Sequence, residues 1–165
     1  MGKGTRKNLE KAFLGEAKAY FRLKAFATQA DAEGYPAIAH LFRAVSEAEG
    51  IHALSHFGLL DRVGTTEDNL KVSFEKETFV NEVAYPQFLK EAWAEEEKEA
   101  VWLLTKARNV EERHARLYRM ALSRMTMDTP PVYCLCGRCG WITEGVAPDA
   151  CPNCDAPKED HRMVD

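Results

Sequence analysis

The first 133 residues contain no cysteine, and no part of the chain has a long run of apolar residues. The first absence removes a disulfide framework from most of the molecule. The second excludes a membrane-spanning helix, which needs roughly 18 apolar residues in succession. The charged opening Met1-Gly2-Lys3-Gly4-Thr5-Arg6-Lys7 is followed by no apolar stretch of the kind a signal peptide carries, so a cytoplasmic protein is expected. A basic stripe is lacking too. The net charge is -4 and the lysines and arginines are interspersed with acids, which argues against nucleic acid as a partner.

What is present falls into two parts. Residues 1 to about 126 are rich in Ala, Leu, Glu, Lys and Arg, whereas all five cysteines lie between Cys134 and Cys154. Such clustering points to metal ligation in a reducing compartment. The expected division is a mainly helical bundle over 1–126, a stiff linker over 127–132 built on Asp128-Thr129-Pro130-Pro131, and a small metal module over 133–165. The module is too short to bury a core of its own, so something must staple it.

Helical periodicity begins near Thr5 and reaches Ala32, where Glu33-Gly34-Tyr35-Pro36 joins a terminating glycine to a proline suited to the next first turn. A second helix is expected from Pro36 to about Arg62, closed by Gly64. Thr65-Thr66-Glu67-Asp68 offers hydroxyl caps for a third, starting near Glu67. Pro86 should bend that third helix. Beyond it, Trp93-Ala94-Glu95-Glu96-Glu97-Lys98-Glu99 has neither Gly nor Pro, and propensity alone would run one helix from 67 to 125, too long for a globular domain.

Two Glu-x-x-His motifs supply the missing break. In Glu49-Gly50-Ile51-His52 and Glu111-Glu112-Arg113-His114 the two end residues are three apart, one helical turn, so a carboxylate and an imidazole converge on one point. Glu16 precedes the first motif by 33 residues and Glu77 the second by 34, an internal two-fold repetition. For Glu16 and Glu49 to stand level on antiparallel neighbours the chain must reverse near residue 33, where Glu33-Gly34 lies. The same rule places a reversal at about 94–97, since a straight helix would hold Glu77 and Glu111 roughly 50 Å apart. Four Glu and two His from four helices form the ligand set of a di-iron or di-manganese site in a bundle core. Tyr85, about two turns from Glu77, is a candidate supporting hydroxyl. His56 and His40 are read as unrelated to the site, and Phe13, Phe42, Trp93 and Trp102 as packing residues.

Cys136-Gly137-Arg138-Cys139 and Cys151-Pro152-Asn153-Cys154 form two Cys-x-x-Cys knuckles with eleven residues between them. Two such turns place four thiolates around one iron or zinc, and Gly140 after the second thiolate lets backbone amides point at sulfur. Cys134 is out of step with the knuckles and is read as a non-ligand thiol. Tyr133 and Trp141 are expected to form the module's small apolar core.

Taken together, Leu14-Gly15-Glu16, Glu49 with His52, Glu77 with Tyr85-Pro86, Glu111 with His114 and the two knuckles resemble the rubrerythrins over nearly the whole chain. The resemblance implies a ferritin-like four-helix bundle holding two non-haem irons, whose set manganese or zinc can also take, followed by a rubredoxin-like centre with one iron or zinc. It implies reduction of hydrogen peroxide to water, with electrons passed through the rubredoxin-like iron from a partner reductase and ultimately from a nicotinamide cofactor. The alternative is a ferroxidase, an iron-handling protein or an oxygen-reducing di-iron protein. By resemblance the family carries a further glutamate three residues after the third-helix ligand, engaged in an iron shift on redox change. Here that position is Val80, and Glu82, about 140° round an ideal helix from Glu77, is not expected to replace it. In a ferritin-like arrangement the second and third helices run parallel, yet only about Asp61 to Glu67 connects them, too short for the roughly 30 Å crossing. A homodimer exchanging helices is therefore expected.

Overall fold

The turn at Gly34 shows how the first hairpin is made. The computed structural model describes residues 1–126 and 131–164, and in it α1 (Lys3–Ala32) gives way to α2 (Pro36–Leu59) through a Schellman motif. Tyr35 N–H donates to Ala30 C=O at 2.8 Å and Gly34 N–H to Asp31 C=O at 3.1 Å, with Gly34 at φ 80°. Left-handed backbone is free of strain for glycine, and Pro36 then occupies the first helical position, where no N–H is needed. The two helices approach through small residues. Ala19, Ala27, Ala30, Ala39, Ser46 and Ala53 are buried, and the Ser46 hydroxyl donates to Tyr20 C=O at 2.8 Å. Phe13 packs on Phe57 and Phe26 on Phe42. The second helix stops at Leu59, three residues before the expected end, with Asp61 in place of a glycine at positive φ.

Thr65 caps α3 (Thr66–Phe79), its hydroxyl accepting from Asp68 N–H at 3.2 Å. The expected bend at Pro86 takes the form of a π turn over Val80–Ala84, followed by α4 (Tyr85–Ala94). Proline has no N–H to continue the α-helical ladder, and a one-residue slip lets Tyr85 N–H reach Val80 C=O instead. The reversal expected at 94–97 lies at Glu95–Glu97, leading into α5 (Lys98–Ser123). It repeats the Schellman pattern without a glycine: Glu97 N–H donates to Ala92 C=O and Glu96 N–H to Trp93 C=O, with Glu96 itself at φ 59°.

The metal module is a three-stranded antiparallel sheet in the order β2-β1-β3, made of β1 (Tyr133–Cys136), β2 (Ile142–Glu144) and β3 (His161–Val164). Cys134 pairs with Thr143 on one side and Met163 on the other.

The chain divides at Gly64–Thr65 into two compact units, Met1–Gly64 and Thr65–Asp165, the metal module falling in the second with α3, α4 and α5. The reason is that the ribbon packs on α5. Arg113 Nε donates to Ile142 C=O at 2.8 Å, and Asn109 Nδ2 to Asn153 Oδ1 at 3.1 Å. Residues 127–130 of the expected linker lie outside the described residues. Trp93 and Trp102 are exposed, contrary to their reading as packing residues. Among the described residues no helix is long and apolar enough to cross a membrane.

Candidate metal centres

Each unit gathers three of the six expected bundle ligands. In the first, α1 contributes Glu16 and α2 contributes Glu49 and His52; in the second, α3 contributes Glu77 and α5 contributes Glu111 and His114. Within each triad the ligand atoms lie within 4.8 Å of one another. The motifs behave alike: His52 Nδ1 stands 3.5 Å from Glu49 Oε2, and His114 Nδ1 stands 3.1 Å from Glu111 Oε2. Three-residue spacing on a helix produces both pairings.

In each triad two carboxyl groups from different helices stand close enough for one to perturb the other. The hydrogen bond between Glu16 and Glu49 raises the Glu16 carboxyl and lowers that of Glu49. In the second unit burial, reinforced by the hydrogen bond and charge of Glu111, pushes Glu77 up to about 7. Such strain is what a divalent cation relieves, because it favours both carboxylates in the charged form. Two carboxylates and an imidazole also suit iron, manganese or zinc.

Tyr85 lies close to this second pair. Burial, then the charges of Glu111 and Glu77, raise its phenol above the ordinary value, so it stays protonated as a hydrogen-bond donor. His114 Nε2 is buried with no hydrogen-bond partner among the described residues. A cavity of about 450 Å³ opens on Glu77 and His114, and Tyr118, Tyr133, Ile142 and Val164 also line it. Tyr133 thus borders the carboxylate site, and it is not among the side chains packed on the cysteine cluster.

Val80 contributes no ligand atom, and Glu82 does not join the triad. Glu82 lines a separate hollow with Thr78, Asn81, Glu112 and Arg116. His56 lies outside the first triad. His40 is exposed.

The four knuckle cysteines form the third cluster, and Cys134, although buried, lies outside it. Cys136 Sγ is 3.8 Å from Cys154 Sγ, and Cys139 Sγ is 3.6 Å from Cys151 Sγ. Four sulfurs held about 2.3 Å from a tetrahedral ion are separated by about 3.8 Å, so the cage already has the dimensions of a metal site. The knuckles are built alike. Gly140 N–H donates to Cys136 C=O with Gly140 at φ 81°, and Asp155 N–H donates to Cys151 C=O with Asp155 at φ 58°. Burial pushes the Cys136 thiol up, but the amides of Arg138 and Cys139, with help from the Cys151 and Cys154 thiols, bring it down to about 7. Burial pushes Cys139 up to about 12 and raises Cys154 as well. A cage in which the thiols cannot all ionise alone is one that a cation completes. Trp141 packs against the cluster as expected.

Sequence reading missed three contributors. Gly50, inside the first motif, makes room for the Tyr20 ring; Arg113, inside the second, binds the ribbon; Asn153, inside the second knuckle, binds α5. Only the positions of Gly50, Arg113 and Asn153 within metal motifs hinted at them.

Comparison with known proteins agrees with this arrangement. The rubrerythrin family model matches residues 7–122. Nigerythrin of Nitratidesulfovibrio vulgaris is 30% identical over 169 residues, spanning 94% of this chain and 84% of that protein. Rubrerythrin of Porphyromonas gingivalis is 31% identical over 176 residues, spanning 95% of this chain and 88% of the relative. Among solved structures, nigerythrin in its partially reduced state and in its fully reduced, all-ferrous state each give a TM-score of 0.60 at 29% identity, covering 99% of this chain and 88% of theirs.

Proposed function

The chain belongs to the rubrerythrin family, and from that premise we propose that this di-iron protein reduces hydrogen peroxide to water with electrons relayed through its four-cysteine iron. The observation that carries the proposal is the attachment of an electron-carrier cage to the same helix that bears Glu111 and His114. Iron storage needs no such donor. Peroxide reduction consumes two electrons and two protons per peroxide and yields two waters, and the iron pair, when bound and reduced, supplies both electrons at once.

The protein's own part is to hold and protonate. Glu77 and Glu111 bring two oxygens from different helices together, His114 adds a nitrogen, and Tyr85 keeps a phenolic hydrogen beside them. The cavity at Glu77 and His114 is roomy enough for a molecule the size of peroxide. A redox partner reduces the four-cysteine iron, and a reductase drawing on a nicotinamide cofactor is the class expected.

The working form proposed is a homodimer in which the first unit of one chain completes its ligand set with the second unit of the other. Three features support this. Each unit supplies three ligands, and each exposes apolar side chains on its helices, among them Phe21, Ile51 and Leu54 in the first and Phe79 and Val83 in the second. Only residues 60–65 connect α2 to α3, a reach of about 21 Å at most. The six-ligand set with Val80 favours a second reading, ferroxidase or iron handling.

Anaerobic reduction followed by one equivalent of hydrogen peroxide separates the two. A peroxide reductase reoxidises both centres within the mixing experiment and turns over again when reductant is supplied. Bundle iron that reacts faster with dioxygen than with peroxide, while the four-cysteine iron stays reduced, would sink the peroxidase reading.

A further inference from the structure

Pro86 leaves a gap in the hydrogen-bond ladder that runs on from the helix bearing Glu77. The N–H groups in reach of the Asn81 carbonyl lie four and five residues on, at positions 85 and 86. Tyr85 N–H is taken by Val80 C=O, and Pro86 has no N–H to give. The donor comes instead from α5. Arg108 Nε donates to Asn81 C=O at 3.1 Å, and the Asn81 side chain returns the bond, its Nδ2 donating to Arg108 C=O at 2.8 Å. Both residues are half-buried. A carbonyl withdrawn from water needs a partner, and here a side chain supplies the one that the backbone cannot. The clamp stands one turn from two ligands, since Asn81 follows Glu77 by four residues and Arg108 precedes Glu111 by three.

The π turn also decides where Tyr85 stands. On an ideal α-helix a residue eight positions after Glu77 would be turned about 80° away from it. A π turn takes up one extra residue, so position 85 falls where the seventh would, within about 20° of Glu77. That placement agrees with the Tyr85 phenol, which burial and then the charges of Glu111 and Glu77 raise above its ordinary value. We propose that Arg108 is a positioning residue for the second metal triad: it supplies the donor that Pro86 withholds, and so holds the π turn that, with Asn81, sets Glu77 opposite Glu111 and Tyr85 on the same face. The inference needs a cation at Glu77, Glu111 and His114 but not peroxide as substrate.

The test is calorimetric titration of the full-length protein with Mn²⁺, a hard cation that a thiolate cage disfavours, beside amide hydrogen exchange of the metal-free protein. Arg108→Ala is expected to weaken Mn²⁺ binding about fivefold and to speed exchange of the Tyr85 amide about tenfold relative to the amides of α3. Asn81→Ala, which leaves the carbonyl and its Arg108 donor in place, is expected to weaken binding about twofold. In a Pro86→Ala background residue 86 regains an N–H, and the Asn81 carbonyl has a backbone donor in either helical register. There Arg108→Ala is expected to change the affinity by less than about twofold. Unchanged affinity in Arg108→Ala overturns the proposal, since a packing role would cost stability alone. Lost affinity with no change at the Tyr85 amide overturns the part assigned to the π turn, and an equal loss in both backgrounds overturns the part assigned to the Asn81 carbonyl. If Arg108→Ala fails to fold, Asn81→Ala decides: weaker binding supports the proposal and unchanged binding overturns it.

Discussion

The Tyr20 ring lies against the backbone of Gly50, so close that a Cβ at residue 50 would come within 3.0 Å of Tyr20 Cδ2 and 3.1 Å of Cε2. This contact sits inside the Glu49–His52 motif and one turn beyond Glu16, and it sets how closely α1 and α2 approach at the first triad. The ring has little freedom to retreat, because its hydroxyl meets Lys24 Nζ at 2.6 Å and Phe21 packs edge-on to it. Gly50→Ala gains about 1 kcal/mol of helix propensity. Overpacking against the ring costs about 1–3 kcal/mol, and the cost is expected to win. Denaturant unfolding of the metal-free protein should show a net loss of about 1 kcal/mol. In a Tyr20→Leu background the same change should become stabilising; a loss of equal size there would mean that the ring is not the cause.

The raised carboxyl of Glu77 predicts how metal binding depends on pH. Glu77 rises from an ordinary 4.5 to about 7, chiefly through burial. The folded, metal-free protein therefore holds a proton that the unfolded chain has released, and the stability from this group is present below about pH 4.5 and lost as pH climbs towards 7. A cation must displace that proton. Calorimetric titration with Mn²⁺, chosen as a redox-inert probe, should show proton release at pH 6 and much less at pH 8, with weaker apparent affinity at the lower pH. Glu77→Gln should shrink the difference, leaving the part due to the Glu16 triad and the imidazoles. Equal proton release at both pH values in the parent protein would contradict this account of Glu77.

The two reversals show what the sequence could and could not announce. At Gly34 the left-handed residue is a glycine and the next helix opens on Pro36, so chemistry and punctuation coincide. At Glu96 the same hydrogen-bond pattern is imposed on a residue with a Cβ, and only the level pairing of Glu77 with Glu111 indicated a turn. The ligand triads were legible because three-residue spacing on a helix fixes a direction in space. The π turn was not, since Pro86 demands a disturbance without saying which. Nor was the docking of the ribbon on α5: Lys106, Asn109, Arg113 and Asn153 are polar residues of ordinary surface type, and only their mutual placement gives them partners.

The exchanged dimer makes a prediction that other arrangements do not. Glu16→Ala with His52→Ala disables every first unit, and Glu111→Ala with His114→Ala disables every second unit, so neither variant alone can build a complete bundle site. Unfolded together and refolded as an equal mixture, half of the dimers should contain one chain of each kind. In an exchanged dimer one of the two sites is then wholly intact, restoring about a quarter of the parent's bundle metal and turnover. A site closed within one chain gives no restoration at any mixing ratio, and that result would end the exchange model.

Val80 offers the sharpest test of the family relationship at the level of one side chain. It stands three residues after Glu77 at the first position of the π turn, half-buried, and Glu82 lines a separate hollow with Asn81 and Arg116. Three residues along a helix is about one turn, so a glutamate at 80 would start from the Glu77 side of the helix. Val80→Glu should cost the metal-free protein about 1 kcal/mol, because a half-buried apolar side chain is exchanged for an ionisable one. The metal-loaded protein should recover that loss, because the new carboxylate then has a cation to meet. Peroxide turnover is expected to rise severalfold at equal iron content, with reaction towards dioxygen changing less. Turnover equal to that of the parent, with iron content and stability both recovered, would show that the missing glutamate does not limit this protein.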